Sequence, residues 1–141
     1  MKAFDALIPT RFMASICFLI SVMMVFSTMA DNIIVSLPST YSQTSYDSYK
    51  SSLNLVLSLH IICICFNLAG FLFGFSMFIP SHTILVIISH TIGCIYSCVA
   101  IMETWHYLNF WYIWAFFSAP VAFIEACIVI GTFSLGSLNI T

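Results

Sequence analysis

Glu125 stands inside an apolar run, Trp111 to Phe133, where an unpaired carboxylate costs several kcal/mol in hydrocarbon. His90 stands in a second run, Thr83 to Met102, and Asn67 in a third, Leu53 to Ile79. At a helical rise of about 1.5 Å per residue, Glu125 and His90 lie roughly 12 Å and roughly 10 Å from the same end of antiparallel spans. The shared depth predicts a Glu125–His90 contact with Asn67 nearby, a polar layer that would either fix helix register or pass a proton. His90, Cys94 and Cys98 recur at i, i+4 and i+8, which could offer soft ligands to a metal. All six cysteines fall inside apolar runs, where Cys is a small packing residue, so the reading holds no metal, cofactor or disulfide. No nucleophile and base stand together in a loop open to water, and no enzyme is expected.

The elements that must position these groups are set by composition. Of 141 residues 62% are apolar and 6% charged, and mean hydropathy is +1.10, values that exclude an ordinary soluble fold. The net charge of −2 provides no basic field for nucleic acid. Crossing about 30 Å of hydrocarbon takes about 20 apolar residues in a helix. Four stretches meet that length: 12–30, 53–79, 83–102 and 111–133. The fold class is therefore an all-α integral membrane protein, a four-helix transmembrane bundle with short hairpins, forming one domain over residues 1–141. Pro80-Ser81-His82 reads as a tight hairpin, Glu103 to Phe110 as a second, and the Ser-, Thr- and Tyr-rich segment 31–52 as a partly ordered polar loop.

Lys2 and Arg11 flank the first span, whereas Lys50 lies on the other side with Asp31, Asp47 and Glu103. The positive-inside rule then puts both termini in the cytoplasm, and Trp105, Tyr107, Trp111, Tyr112 and Trp114 mark the opposite interface. A rival reading takes the first span as a signal peptide with Thr28-Met29-Ala30 as its cleavage site. Asn139-Ile140-Thr141 has the form of a glycosylation sequon but is read as chance.

Each span carries small or polar residues at 3–4 spacing, as helices that associate in a bilayer require. These are Ala14, Cys17, Ser21, Met24 and Thr28 in the first span, and His60, Cys63, Asn67, Gly70, Gly74 and Met77 in the second. The third offers His90, Gly93, Cys94, Ser97 and Cys98; the fourth offers Ala115, Ser118, Ala119, Ala122, Glu125 and Ala126. Gly70 and Gly74 form a GxxxG, which lets two backbones approach, within the bundle or against a partner. Pro120 should kink the fourth span.

Leu7-Ile8-Pro9-Thr10-Arg11-Phe12 opens the first span, and Leu68-Ala69-Gly70-Phe71-Leu72-Phe73-Gly74-Phe75-Ser76-Met77-Phe78 closes the second. With His90, Glu103-Thr104-Trp105, Trp111-Tyr112-Ile113, Ser118-Ala119 and Glu125, this order of motifs resembles the transmembrane protein 107 family over almost the whole chain. The resemblance implies a four-span, non-enzymatic protein of the ciliary transition zone membrane. Its implied role is in the Meckel syndrome module, in ciliogenesis and in the ciliary gate that controls ciliary membrane composition. Implied partners are tectonic, B9-domain and small transmembrane members of that module, together with membrane lipids. Two departures stand out: no Lys-rich stretch follows Glu125, and Asn67 occupies a position where the family pattern has an acidic residue.

The implied helix-packing or partner surface comprises Asn67, Gly70, Gly74, His90, Ser118, Ala119, Ala122 and Glu125. The alternative is a small membrane transporter that uses Glu125 and His90 as an intramembrane relay. A lipid-binding or lipid-modifying protein would need a polar pocket open to one leaflet, of which the sequence gives no sign.

Overall fold

The computed structural model describes residues 2–138. Its elements, in order, are α1 (Lys2–Ser27), α2 (Met29–Ser36), α3 (Gln43–Leu72), α4 (Pro80–Met102), α5 (Leu108–Ile113), a π-helical turn (Trp114–Ser118) and α6 (Ala119–Leu138). Among the described residues four stretches are long and apolar enough to cross a membrane: Ala6–Ser27, Gln43–Leu72, Pro80–Met102 and Leu108–Ser134. The architecture is the all-α membrane bundle that the composition requires. The sequon at 139–141 lies outside the described residues.

Several boundaries differ from the sequence expectation, each for a local physical reason. The expected polar loop 31–52 is largely helical. The chain continues into α2 after Ser27, and Ser42 starts α3 by accepting a hydrogen bond from the Ser45 amide at 3.2 Å. With 30 residues, α3 is about 45 Å long and outreaches the hydrocarbon at its polar end.

The second span was expected to run to Ile79, but the helix stops at Leu72. Gly74 adopts φ 83°, and the Phe75 and Gly74 amides bond back to the Gly70 and Phe71 carbonyls at 3.1 and 3.0 Å. This is a Schellman ending, and Gly74 serves it as the residue free to turn left-handed. Pro80-Ser81-His82 is not a hairpin but the first turn of α4, with Pro80 in the opening position where its missing N–H costs nothing.

Pro120 does not produce a simple kink. The Ala119 amide reaches back to the Trp114 carbonyl, so the turn before the proline is widened to π geometry. The widened turn leaves room for a ring that would clash with a carbonyl in regular helix.

The interior faces are Arg11, Ser15, Phe18, Val22 and Val25 of α1, with His60, Ile64, Asn67 and Gly70 of α3, Val86, His90, Gly93 and Ser97 of α4, and Val121 and Glu125 of α6. For α3 and α4 this coincides with much of the small-residue stripe. For α1 it is rotated by one position: Ala14 and Met24 lie off the buried face, while the bulky Phe18 is buried. Phe18 fits because Gly93 faces it; a Cβ on Gly93 would lie 2.7 Å from the ring.

Candidate functional site

Arg11 is 1% exposed and Glu125 0%, so a guanidinium and a carboxylate are both sealed inside a membrane bundle. Arg11 was expected to be an interfacial flank of the first span. Helix α1 instead begins upstream of it, at Lys2, which carries Arg11 into the bundle. Its Nη2 donates to Glu125 Oε2 at 3.1 Å, to Ser76 Oγ at 2.9 Å and to Asn67 Oδ1 at 3.3 Å. Nη1 donates to the Ser76 carbonyl at 3.2 Å and to Thr83 Oγ1 at 3.4 Å. The guanidinium also lies 5.0 Å from the centre of the Phe71 ring. A single side chain of α1 thus bonds to α3, to the turn that follows it, to α4 and to α6.

Glu125 Oε2 accepts from Arg11, from Asn67 Nδ2 at 3.4 Å and from His82 at 2.6 Å. A carboxylate oxygen can only accept, so His82 is the donor in this bond, through Nε2. Among the described residues Oε1 has no partner. It lies over Gly70, where a Cβ would come within 1.9 Å of it. The missing side chain of Gly70 is what lets the carboxylate rest on the α3 backbone.

The expected Glu125–His90 contact does not form, and the relay built on it loses its link. Equal depth along antiparallel helices is not enough when side chains leave the backbone in different directions. His82, two turns before His90 on the same face of α4, reaches Glu125 instead, and His90 Nδ1 pairs with Ser15 Oγ at 2.9 Å. Nor do His90, Cys94 and Cys98 converge: Ser21 Oγ takes Cys94 Sγ at 3.0 Å and Cys98 Sγ at 3.7 Å. Among the described residues no three His, Cys, Asp or Glu side chains are grouped to hold a metal ion, and the six cysteines are free.

A second layer lies further along the bundle. His60 Nδ1 pairs with Ser118 Oγ at 2.7 Å, and Phe18 meets His60 edge-on at 5.8 Å and His90 at 5.4 Å. Ser118 closes the π-helical turn, so that irregular turn delivers the hydroxyl to the imidazole. Both Ser–His pairs have the atoms of a nucleophile and a base, yet all four residues are fully covered by the bundle. Of the other singled-out positions, Ala119 and Ala122 are half-buried beside Ser118 and Glu125, and Gly74 has open space around it.

Arg11, Ser76, His82 and Thr83 were missed as site residues. Two signals could have found Arg11 and His82. The apolar Ala6-Leu7-Ile8 ahead of Arg11 shows that the span had already begun. A Pro80 read as the opening of a helix places His82, Val86 and His90 on one face.

Four spans clamped by a buried Arg–Glu–His centre define a small polytopic membrane protein whose interior polarity faces itself. The chain belongs to the transmembrane protein 107 (TMEM107, "Transmembrane protein") family, whose model matches residues 7–129. It is similar to transmembrane protein 107 of Rattus norvegicus, 32% identical over 135 residues covering 96% of each chain. It is also similar to the Homo sapiens protein of that name, 31% identical over 93% of this chain and 94% of the relative. The Danio rerio protein of that name is 28% identical over 89% of this chain and 93% of the relative. No solved structure matches the chain.

Proposed function

We propose that the chain is a non-enzymatic structural component of the ciliary transition zone membrane. In this reading it helps assemble the Meckel syndrome module and the ciliary gate, supports ciliogenesis, and has both termini in the cytoplasm. The observation that carries the reading is the inward closure of the polar network: Arg11 and Glu125 spend their hydrogen bonds on Asn67, Ser76, His82 and Thr83. Such a centre holds four helices in one register, which suits a scaffold that presents a fixed outer surface to other membrane proteins. Family membership over nearly the full length supports the same role, and tectonic, B9-domain and small transmembrane proteins are the proposed partners. A tagged full-length copy expressed in ciliated cells should form a ring or paired spots at the ciliary base. Uniform plasma-membrane or reticular staining would overturn the proposal.

A further inference from the structure

Tyr96, Trp105, Asn109, Tyr112, Ile113, Phe116 and Phe117 line a groove of about 420 Å³ between α4 and the α5–π segment. We propose that this groove binds a sterol from the leaflet on the Trp105 side of the membrane. The inference is independent of where in the cell the protein resides.

Position comes first. The groove starts beside Trp105 and Asn109, next to the Glu103–Tyr107 turn, and reaches Phe116, which lies eight residues after Leu108 or roughly 12 Å deeper. Tyr112 and Phe116 are 64% and 67% exposed on a membrane-spanning element, so the medium that enters the groove is lipid. Two backbone irregularities shape it. Thr104 takes φ 47°, a conformation that bulky residues avoid, and so turns the chain to bring Trp105 against Tyr96 with ring centres 6.2 Å apart. The π-helical turn carries Phe116 and Phe117, and Phe117 stacks on Tyr96 at 5.7 Å with 25° between the planes.

The lining then selects among lipids. Five aromatic rings make rigid, flat walls, which match a fused-ring body; a flexible acyl chain would lose much of its rotamer freedom there. The lining holds no cationic residue for a phosphate. Close to its mouth, Glu103 accepts from Trp105 Nε1 at 2.9 Å, so a carboxylate stands where an anionic headgroup would have to sit. That charge disfavours anionic phospholipid, and among net-neutral lipids the rigid flat walls favour a fused-ring body over flexible acyl chains. Asn109 is the one carboxamide in the lining. It can both donate to and accept from a single hydroxyl.

The full chain in phosphatidylcholine nanodiscs is treated with a photoactivatable sterol probe, and crosslinks are mapped by mass spectrometry. Labelling should concentrate on peptides containing Tyr96 and Tyr112–Phe117, and unlabelled cholesterol should compete while diacylglycerol should not. Asn109→Leu and Phe116→Ala should each lower labelling about fivefold, as the loss of one hydrogen bond or one ring contact predicts. Phe123→Ala, on a lipid-facing position away from the groove, should label as the parent does. Labelling spread over the whole lipid-facing surface, equal competition by diacylglycerol, or undiminished labelling of both groove variants would overturn the proposal. Should either variant fail to fold, the mapping and competition on the parent chain decide the matter.

Discussion

Arg11 and Glu125 are worth more as a pair than either is alone. Arg11→Leu leaves Glu125 buried beside His82 and Asn67 without its cation, and the expected loss is about 3–5 kcal/mol. Glu125→Gln removes the charge that neutralises Arg11 and should also destabilise. From the expected His90 contact one would instead have anticipated a well-tolerated amide. The double variant Arg11→Met/Glu125→Leu should recover much of either loss, because no unpaired charge remains. Reversible unfolding in nanodiscs measures all three, and additive single effects would contradict the pairing. Gly70 and Gly74 should likewise separate. Gly70→Ala drives a methyl into the Glu125 carboxylate, which must then shift off Arg11, Asn67 and His82, and should destabilise the bundle. Gly74→Ala meets open space and should cost only about 1 kcal/mol, from its left-handed backbone. Glu125 was legible in the sequence because a carboxylate in an apolar run is conspicuous. Arg11 was not, since a basic residue near a span end usually anchors at the interface.

The four spans were legible because apolar runs of that length have few other uses, whereas their ends depended on backbone details that hydropathy does not carry. Phe73, Phe75 and Phe78 are as apolar as the span they follow, yet the helix ends before them at the Gly74 turn. The Ser- and Tyr-rich segment looked like loop, although Ser42 in fact caps a helix that begins at Gln43. Ser42→Ala should lower the stability of that first turn by about 1 kcal/mol. Amide exchange should then speed up about fivefold at Ser45 and Tyr46 and remain unchanged near His60. The Trp114–Ser118 turn was only half legible: Pro120 marks a disturbance, but the choice between kink and π geometry is made by packing, here the delivery of Ser118 to His60.

Seen as one molecule, the bundle has two unlike ends, with Ser42 at the start of α3 and the exposed Ser81 at the start of α4. In a background lacking native cysteines, Ser42→Cys should react with impermeant reagent from the side facing away from the cytosol and Ser81→Cys only from the cytosolic side. Reaction of both from one side would refute the four-span arrangement. The Arg11–Glu125 bond also imposes a schedule on biosynthesis. Its partners are 114 residues apart in the chain, so at about 5–20 residues per second Glu125 is made roughly 6–23 s after Arg11. During that interval the first span holds a cation that its own helix cannot satisfy. It must wait at the insertion machinery, at a lipid headgroup or in the grip of a chaperone until the final span arrives. Nascent chains arrested before Glu125 should therefore remain extractable or be degraded, and release of the first span into lipid should coincide with synthesis of the last.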